Sequence, residues 1–206
     1  MKKVIKNVLI IFLVTIFIGG PINKNSWASV PTERVKYTIS RLIEILEDEN
    51  LKTTEKETEK RDRLKNLAQE FFDFEEMAKR TLAMHWYKLS AEEKKDFTEL
   101  FFELLEYTYI EKIKNYKGEE VNIIKERIEN NFALVNCESY TKKGQKIVFN
   151  CSLINKNGIW NAYDISVEGI SLVNNYRTQF NSIIRSSSYS ELVEKIKDKL
   201  KLLKKQ

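Results

Sequence analysis

Residues 160–180, WNAYDISVEGISLVNNYRTQF, join the two kinds of structure that this chain contains. In the first half Tyr163, Ile165 and Val167 fall on one side of an extended chain, while Trp160, Ala162, Asp164 and Ser166 fall on the other, the period of two that a strand imposes. Gly169 breaks the alternation, Ser171 is placed to cap a helix, and Leu172, Val173, Tyr176, Phe180, Ile183 and Ile184 recur at helical spacing. The stretch predicts a strand that turns straight into a helix. Its apolar strand face and apolar helix face form one corner of a hydrophobic wall, which surrounds either the protein's own side chains or a ligand.

Upstream, the period of two extends back to Glu120. Val121 to Ile128, Phe132 to Thr141 and Lys146 to Ile154 read as strands before Ile159 to Val167, separated by Asn130-Asn131, Lys142-Lys143-Gly144 and Asn155-Lys156-Asn157-Gly158, all of which suit turns. Four strands with short connections predict an antiparallel meander. In the third strand the odd positions Ile147, Phe149, Cys151 and Leu153 are apolar, matching Tyr163, Ile165 and Val167 in the fourth, so one sheet face is greasy and the other mixed.

Ahead of the sheet the apolar period is helical. Val35, Ile39, Leu42, Ile43 and Leu46 make one stripe, and Leu64, Leu67, Ala68 and Phe71 a second, with the wholly polar run 52–60 between them as an exposed loop or frayed helix. Asp73 can cap a third helix carrying Met77, Leu82 and Trp86. Ser90 and Glu93 have the spacing of a capping box, and a long helix runs from about Ala91 to Tyr116. Its large apolar residues are too many for one narrow stripe, so it must be covered on more than one side; Leu100 is expected in the core from its neighbours Phe97, Phe101 and Leu104. After the sheet come the helix from Ser171 to about Ser186 and a last amphipathic helix through Leu192, Ile196, Leu200 and Leu203. The expected class is α+β, with a four-stranded antiparallel curled sheet and helices packed on one face, enclosing an apolar cavity toward the upper end of the ~300 to 1,000 Å³ of ligand pockets.

The first 28 residues are expected to be an export signal: Lys2, Lys3 and Lys6 precede an apolar run from Val8 to Ile18, and Ser26-Trp27-Ala28 supplies small residues at the cleavage positions. The apolar run is shorter than the ~20 residues that span a bilayer. Residues 29–206 are then one domain. The signal holds four lysines and no acid, so the remainder carries 31 basic against 30 acidic residues, and the charge argument for nucleic-acid binding disappears. The basic run Lys195 to Lys205 reads as the solvated face of the last helix.

Catalytic signatures are missing: no glycine-rich phosphate loop, no nucleophile elbow, no CxxC, and a lone histidine, His85, without helpers for metal or base chemistry. Asp164 is the one carboxylate to weigh, either as an acid/base in a cavity or as a structural partner of Arg177. Cys137 and Cys151 share the parity of the apolar face. A hairpin loop of Lys143 to Gln145 sets them opposite each other, whereas a loop of Lys142 to Gly144 leaves them two residues out of register, so a disulfide and two buried thiols both stand as readings.

The run from Trp160 to Phe180, taken with FDFEEMAKRTLAMHWY at 72–87 and LLEYTYIEKIKNY at 104–116, resembles the MlaC family of periplasmic phospholipid carriers, also called the toluene-tolerance or ABC-transporter auxiliary family. The resemblance covers most of Phe72 to Ile184. It implies a carrier in the periplasm of a Gram-negative bacterium, with no enzymatic activity and with phospholipid as cargo rather than a cofactor. It also implies exchange between an outer-membrane lipoprotein complex and an inner-membrane MCE-domain ABC-transporter complex, which maintains outer-membrane lipid asymmetry. The acyl chains are implied to lie against Tyr107, Ile110, Phe149, Tyr163, Ile165, Val167, Leu172, Val173 and Tyr176. Relatives tend to carry glycine where this chain has Ala83, and a glycine near Ser186 to Ser188, departures that concern local geometry.

Overall fold

The computed structural model describes residues 30–51, 53–114, 121–140 and 144–205, with only the helical backbone at 110–112 and 114. The expected export signal, residues 1–28, lies outside the described residues. Helix α1 (Pro31–Glu47) starts on a proline, whose missing N–H has no intrahelical partner to lose at that position. The polar run after it supplies an exposed 3₁₀ turn, Thr54–Lys56, and the first turn of α2 (Glu57–Phe71). Asp73 caps α3 (Phe74–Leu82), its carboxylate accepting from the Glu76 amide at 2.9 Å. A 3₁₀ turn, Ala83–Lys88, leads to α4 (Ala91–Lys114), where the Glu93 amide donates to Ser90 Oγ at 3.1 Å and the Ser90 amide to Glu93 at 2.8 Å, the reciprocal pair that its spacing predicted.

The sheet runs β1 (Val121–Glu129), β2 (Phe132–Tyr140), β3 (Lys146–Lys156), β4 (Ile159–Val167) and β5 (Ile170–Ser171), each antiparallel to the next in chain order. The fifth, two-residue strand is an addition to the four expected. Two-residue turns close three hairpins, with Asn130 (φ 53°), Asn157 (φ 55°) and Glu168 (φ 50°) in the left-handed region that matches the twist of the paired strands. Helix α5 (Leu172–Ser186) leaves β5 directly, with Ser171 Oγ accepting from the Asn174 amide at 2.9 Å, and α6 (Tyr189–Leu203) is capped in the same way by Ser188.

Two of the three apolar clusters among the described residues organise the sheet and the helical layer, and the third joins Ile45 and Leu46 of α1 to Leu51 and to Leu64 of α2. Val35 of α1 and Phe71 of α2 pack on one sheet face against Ala133, Val135, Cys137, Cys151, Leu153, Trp160 and Ala162. The second cluster is helical: Phe97, Phe101 and Leu104 of α4 meet Met77 and Leu82 of α3, Tyr176 and Phe180 of α5, and Leu192, Ile196 and Leu200 of α6. This answers the excess of large side chains on α4, because three other helices cover it. Phe72 touches both clusters and pairs in parallel with Ala162, while the Asp73 amide donates to Ala162 O at 2.8 Å. The chain between α2 and α3 is thus stitched along the edge of β4, which seats the helical layer beside the sheet. Lys156 at the end of β3 secures the same corner, 2.6 Å from Asp73 and 3.9 Å from Glu76.

Three expectations change at residue level. The register of β3 with β4 shifts between Ser152↔Asp164 and Leu153↔Ala162, so Tyr163 is an extra, bulged residue. A bulge resets strand parity: Trp160 and Ala162 share the apolar face with Ile165 and Val167, and Tyr163 is turned away from them to lie against Phe132 and beneath Arg80. Leu100 is half-buried at the rim of the helical cluster, its stripe neighbours Phe97, Phe101 and Leu104 taking the interior positions. Asp164 makes no ion pair with Arg177 among the described residues, because the nearer donors at the start of α5 take both of its oxygens.

Candidate functional site

The paired register of β3 and β4 sets Phe149 opposite Val167 and Cys151 opposite Ile165, so these residues form one strip on the apolar sheet face. Helix α1 packs over β1 and β2 at one side of that face. Phe149 and Ile165 are only half-buried against the sheet cluster, and Val167 is 46% exposed. The strip is therefore apolar surface that the described residues leave incompletely covered, beside a well-packed interior.

The other residues expected on the lipid wall lie outside this strip. Tyr176 is inside the helical cluster, its ring edge-on to Phe101 at 5.2 Å, and burial together with Tyr109 raises its phenol well above the usual tyrosine range. Val173 is buried in the same cluster and Leu172 half-buried against it. Tyr107 lies on α4 between Arg61, 4.0 Å from its ring centre, and Lys204 at 5.5 Å. The Ile110 side chain lies outside the described residues.

Tyr163 and Val173 line a second space of about 400 Å³ between α3, β4 and the start of α5. It borders the sheet, and it is more polar than expected. Arg80 stacks on Tyr163 at 3.9 Å and bonds the buried Glu76 carboxylate at 2.8 Å; Lys79, Asp164 and Arg177 complete the wall. Asp164 uses one oxygen to accept from the Val173 amide at 3.0 Å and the other to accept from the Ser171 hydroxyl, whose oxygen in turn accepts from the Asn174 amide. This carboxylate completes the cap of α5, and a negative charge there also favours the helix dipole. The larger cavity, about 650 Å³, lies among α2, α4 and α6 and touches no strand.

Cys137 and Cys151 are buried free thiols on the sheet face. Cys137 pairs with Phe149 and Cys151 with Val135, the register two residues out of step rather than the opposed one. Their thiols share a hydrogen bond, which lowers the Cys137 thiol and, with burial, holds Cys151 well above its ordinary value. His85 lies on the 3₁₀ turn, and among the described residues no group of three His, Cys, Asp or Glu side chains is placed to hold a metal ion. No helix of the described residues is long and apolar enough to cross a membrane.

Comparison with known proteins agrees with this architecture. The fold is similar to a phospholipid-binding protein from Ralstonia solanacearum solved in complex with a phospholipid, with a TM-score of 0.71 and 19% identity, covering 82% of this chain and 96% of the other. In sequence the chain is 24% identical over 131 residues to the intermembrane phospholipid transport system binding protein MlaC of Haemophilus influenzae, and the match spans 61% of each protein's length. The family described as MlaC protein matches over residues 36–198, from within α1 to within α6. The chain belongs to the MlaC family.

Proposed function

We propose that this protein is a periplasmic phospholipid carrier whose cargo lies with its acyl chains against the Phe149–Ile165–Val167 strip. The observation that carries the reading is that strip: contiguous apolar surface, half-covered, on a sheet face of a chain whose fold is similar to that of a protein solved in complex with a phospholipid. Energetics support it. Each methylene removed from water contributes ~0.8 kcal/mol, so eight of them supply roughly 6 kcal/mol of gross affinity with no headgroup clamp. A site of this kind selects hydrocarbon over any particular headgroup.

Export by residues 1–28 delivers the carrier to the periplasm. There it moves lipid between an outer-membrane lipoprotein complex and an inner-membrane MCE-domain ABC-transporter complex, consistent with the intermembrane transport system named for its Haemophilus relative. The relatives point to a binding and transport protein rather than an enzyme. With both Asp164 oxygens engaged in capping α5, the one candidate acid/base has a structural task. The test is to purify the exported protein, extract it with organic solvent and analyse the extract by mass spectrometry. Co-purified phospholipid is expected; protein that is empty, and stays empty after incubation with phospholipid vesicles, refutes the proposal.

A further inference from the structure

The 650 Å³ groove between α4 and α6 has a composition that the lipid strip does not explain. Its floor is apolar, made by Phe97, Leu100, Tyr189 and Val193. Its inner end is electrically closed: Glu106 pairs with Arg61 at 3.0 Å and Lys65 at 3.5 Å, and Glu103 with Lys204 at 2.6 Å. The rim nearest the start of α4 is different. Glu93, Asp96 and Glu99 are exposed there, Asp96 makes no hydrogen bond or ion pair among the described residues, and Glu99 has only Lys95 at 4.0 Å. Lys197 on the facing wall is committed to Glu194 on its own helix at 2.9 Å. The resulting negative field is felt by Tyr189, whose phenol is pushed up to about 12 by burial, Glu93 and Asp96.

We infer that this groove docks a cationic amphipathic helical segment of a protein partner, its apolar side chains on the floor and its lysines or arginines against Asp96 and Glu99. An apolar floor bordered by unneutralised acids is complementary to that chemistry: helix-in-groove recognition takes anchors from one helix face, and opposite charge sets orientation and encounter rate. The same rim repels an anionic lipid surface or a nucleic acid backbone. The groove shares no residue with the Phe149–Ile165–Val167 strip, so docking and lipid content are separable.

The test uses the whole folded protein and a fluorescent synthetic helix with one leucine face and one lysine face, read by anisotropy at low and physiological salt. Saturable binding that weakens with salt is expected for the wild type. Asp96→Lys/Glu99→Lys should lower affinity about tenfold or more, as loss of two close charge contacts implies. Lys197→Glu should raise it, and the exposed control Glu44→Lys/Glu47→Lys should leave it unchanged; matching circular-dichroism melts establish that each variant folds. Equal losses in the groove and control variants, undiminished binding in Asp96→Lys/Glu99→Lys, or no binding at all would overturn the inference. So would sedimentation showing that a second copy of this chain already fills the groove.

Discussion

Replacing Asp164 separates a capping carboxylate from a catalytic one. In Asp164→Ala the Val173 amide, in the first turn of α5 and part of a buried residue, loses its acceptor at 3.0 Å, and the Ser171 hydroxyl loses the oxygen that orients it toward the Asn174 amide. An orphaned half-buried donor costs ~1–3 kcal/mol, and the lost charge at the helix N-terminus up to about 1 more. The total is about 3 kcal/mol. In a domain of this size each kcal/mol moves the melting temperature by ~2–4 °C, so the fall should be about 6–12 °C. Asp164→Asn keeps a carbonyl acceptor for the Val173 amide but loses the charge and puts an NH2 group where an oxygen accepts from the Ser171 hydroxyl, so its fall should be smaller than that of Asp164→Ala but not zero. The assay is a circular-dichroism melt at neutral pH, with lipid content measured on the same samples. Both variants should retain phospholipid. An unchanged melt for Asp164→Ala would refute the capping argument and return Asp164 to the chemistry of the neighbouring cavity.

Other perturbations test separate links. Ala83 sits at φ 51°, ψ −124°, a conformation that a side chain strains and glycine does not, so Ala83→Gly should stabilise by about 1 kcal/mol and raise the melting temperature by ~2–4 °C; a lower one would contradict this. Ile165→Glu sets an unpaired carboxylate on the strip and should abolish lipid retention while the fold survives, whereas Leu104→Glu, 1% exposed in the helical core, should unfold the protein. Mass spectrometry with parallel melts reads both, and full lipid in Ile165→Glu would remove Ile165 from the site. The Tyr189 phenol is raised to about 12, so folding favours its neutral form: its contribution to stability is complete below pH ~10, where a free tyrosine ionises, and is lost as pH climbs to about 12. Denaturant titrations of Tyr189→Phe across that window should show a shallower alkaline loss than the wild type.

The strand limits were legible because their turns demand unusual backbone. Asn130 and Asn157-Gly158 supply left-handed φ values at two hairpins, and the Ser90–Glu93 and Ser171 caps fix where helices start. The bulge at Tyr163 left a fainter trace. Ala162 and Tyr163 are apolar at adjacent positions of opposite parity, with Trp160 continuing one phase and Ile165 the other, a phase change that strict alternation cannot produce. The Cys137–Cys151 offset was one of two registers permitted by parity, and the pairing of β2 with β3, which runs from Tyr140↔Lys146, decided it. Three-dimensional proximity settled the rest: Asp164 meets Ser171 and the Val173 amide because α5 enters beside β4, and Leu100 borders a groove that α4 lines together with Lys65 of α2 and Tyr189, Val193 and Lys197 of α6. Neither fact is local in sequence. The candidate site was thus readable as a type of surface, an apolar sheet face, more than as a roster of residues: Phe149, Ile165 and Val167 remain together, while Tyr163 and Tyr176 have other neighbours.

Movement of phospholipid by this protein is the central claim, and transfer between vesicles measures it directly. Donor vesicles carrying a self-quenched fluorescent phospholipid are mixed with unlabelled acceptors, with and without the purified domain. Dequenching should accelerate in proportion to protein concentration, persist when the headgroup is changed, and return to the protein-free rate with Ile165→Glu. A protein that folds, melts cooperatively and leaves the transfer rate at the protein-free value would contradict a carrier role.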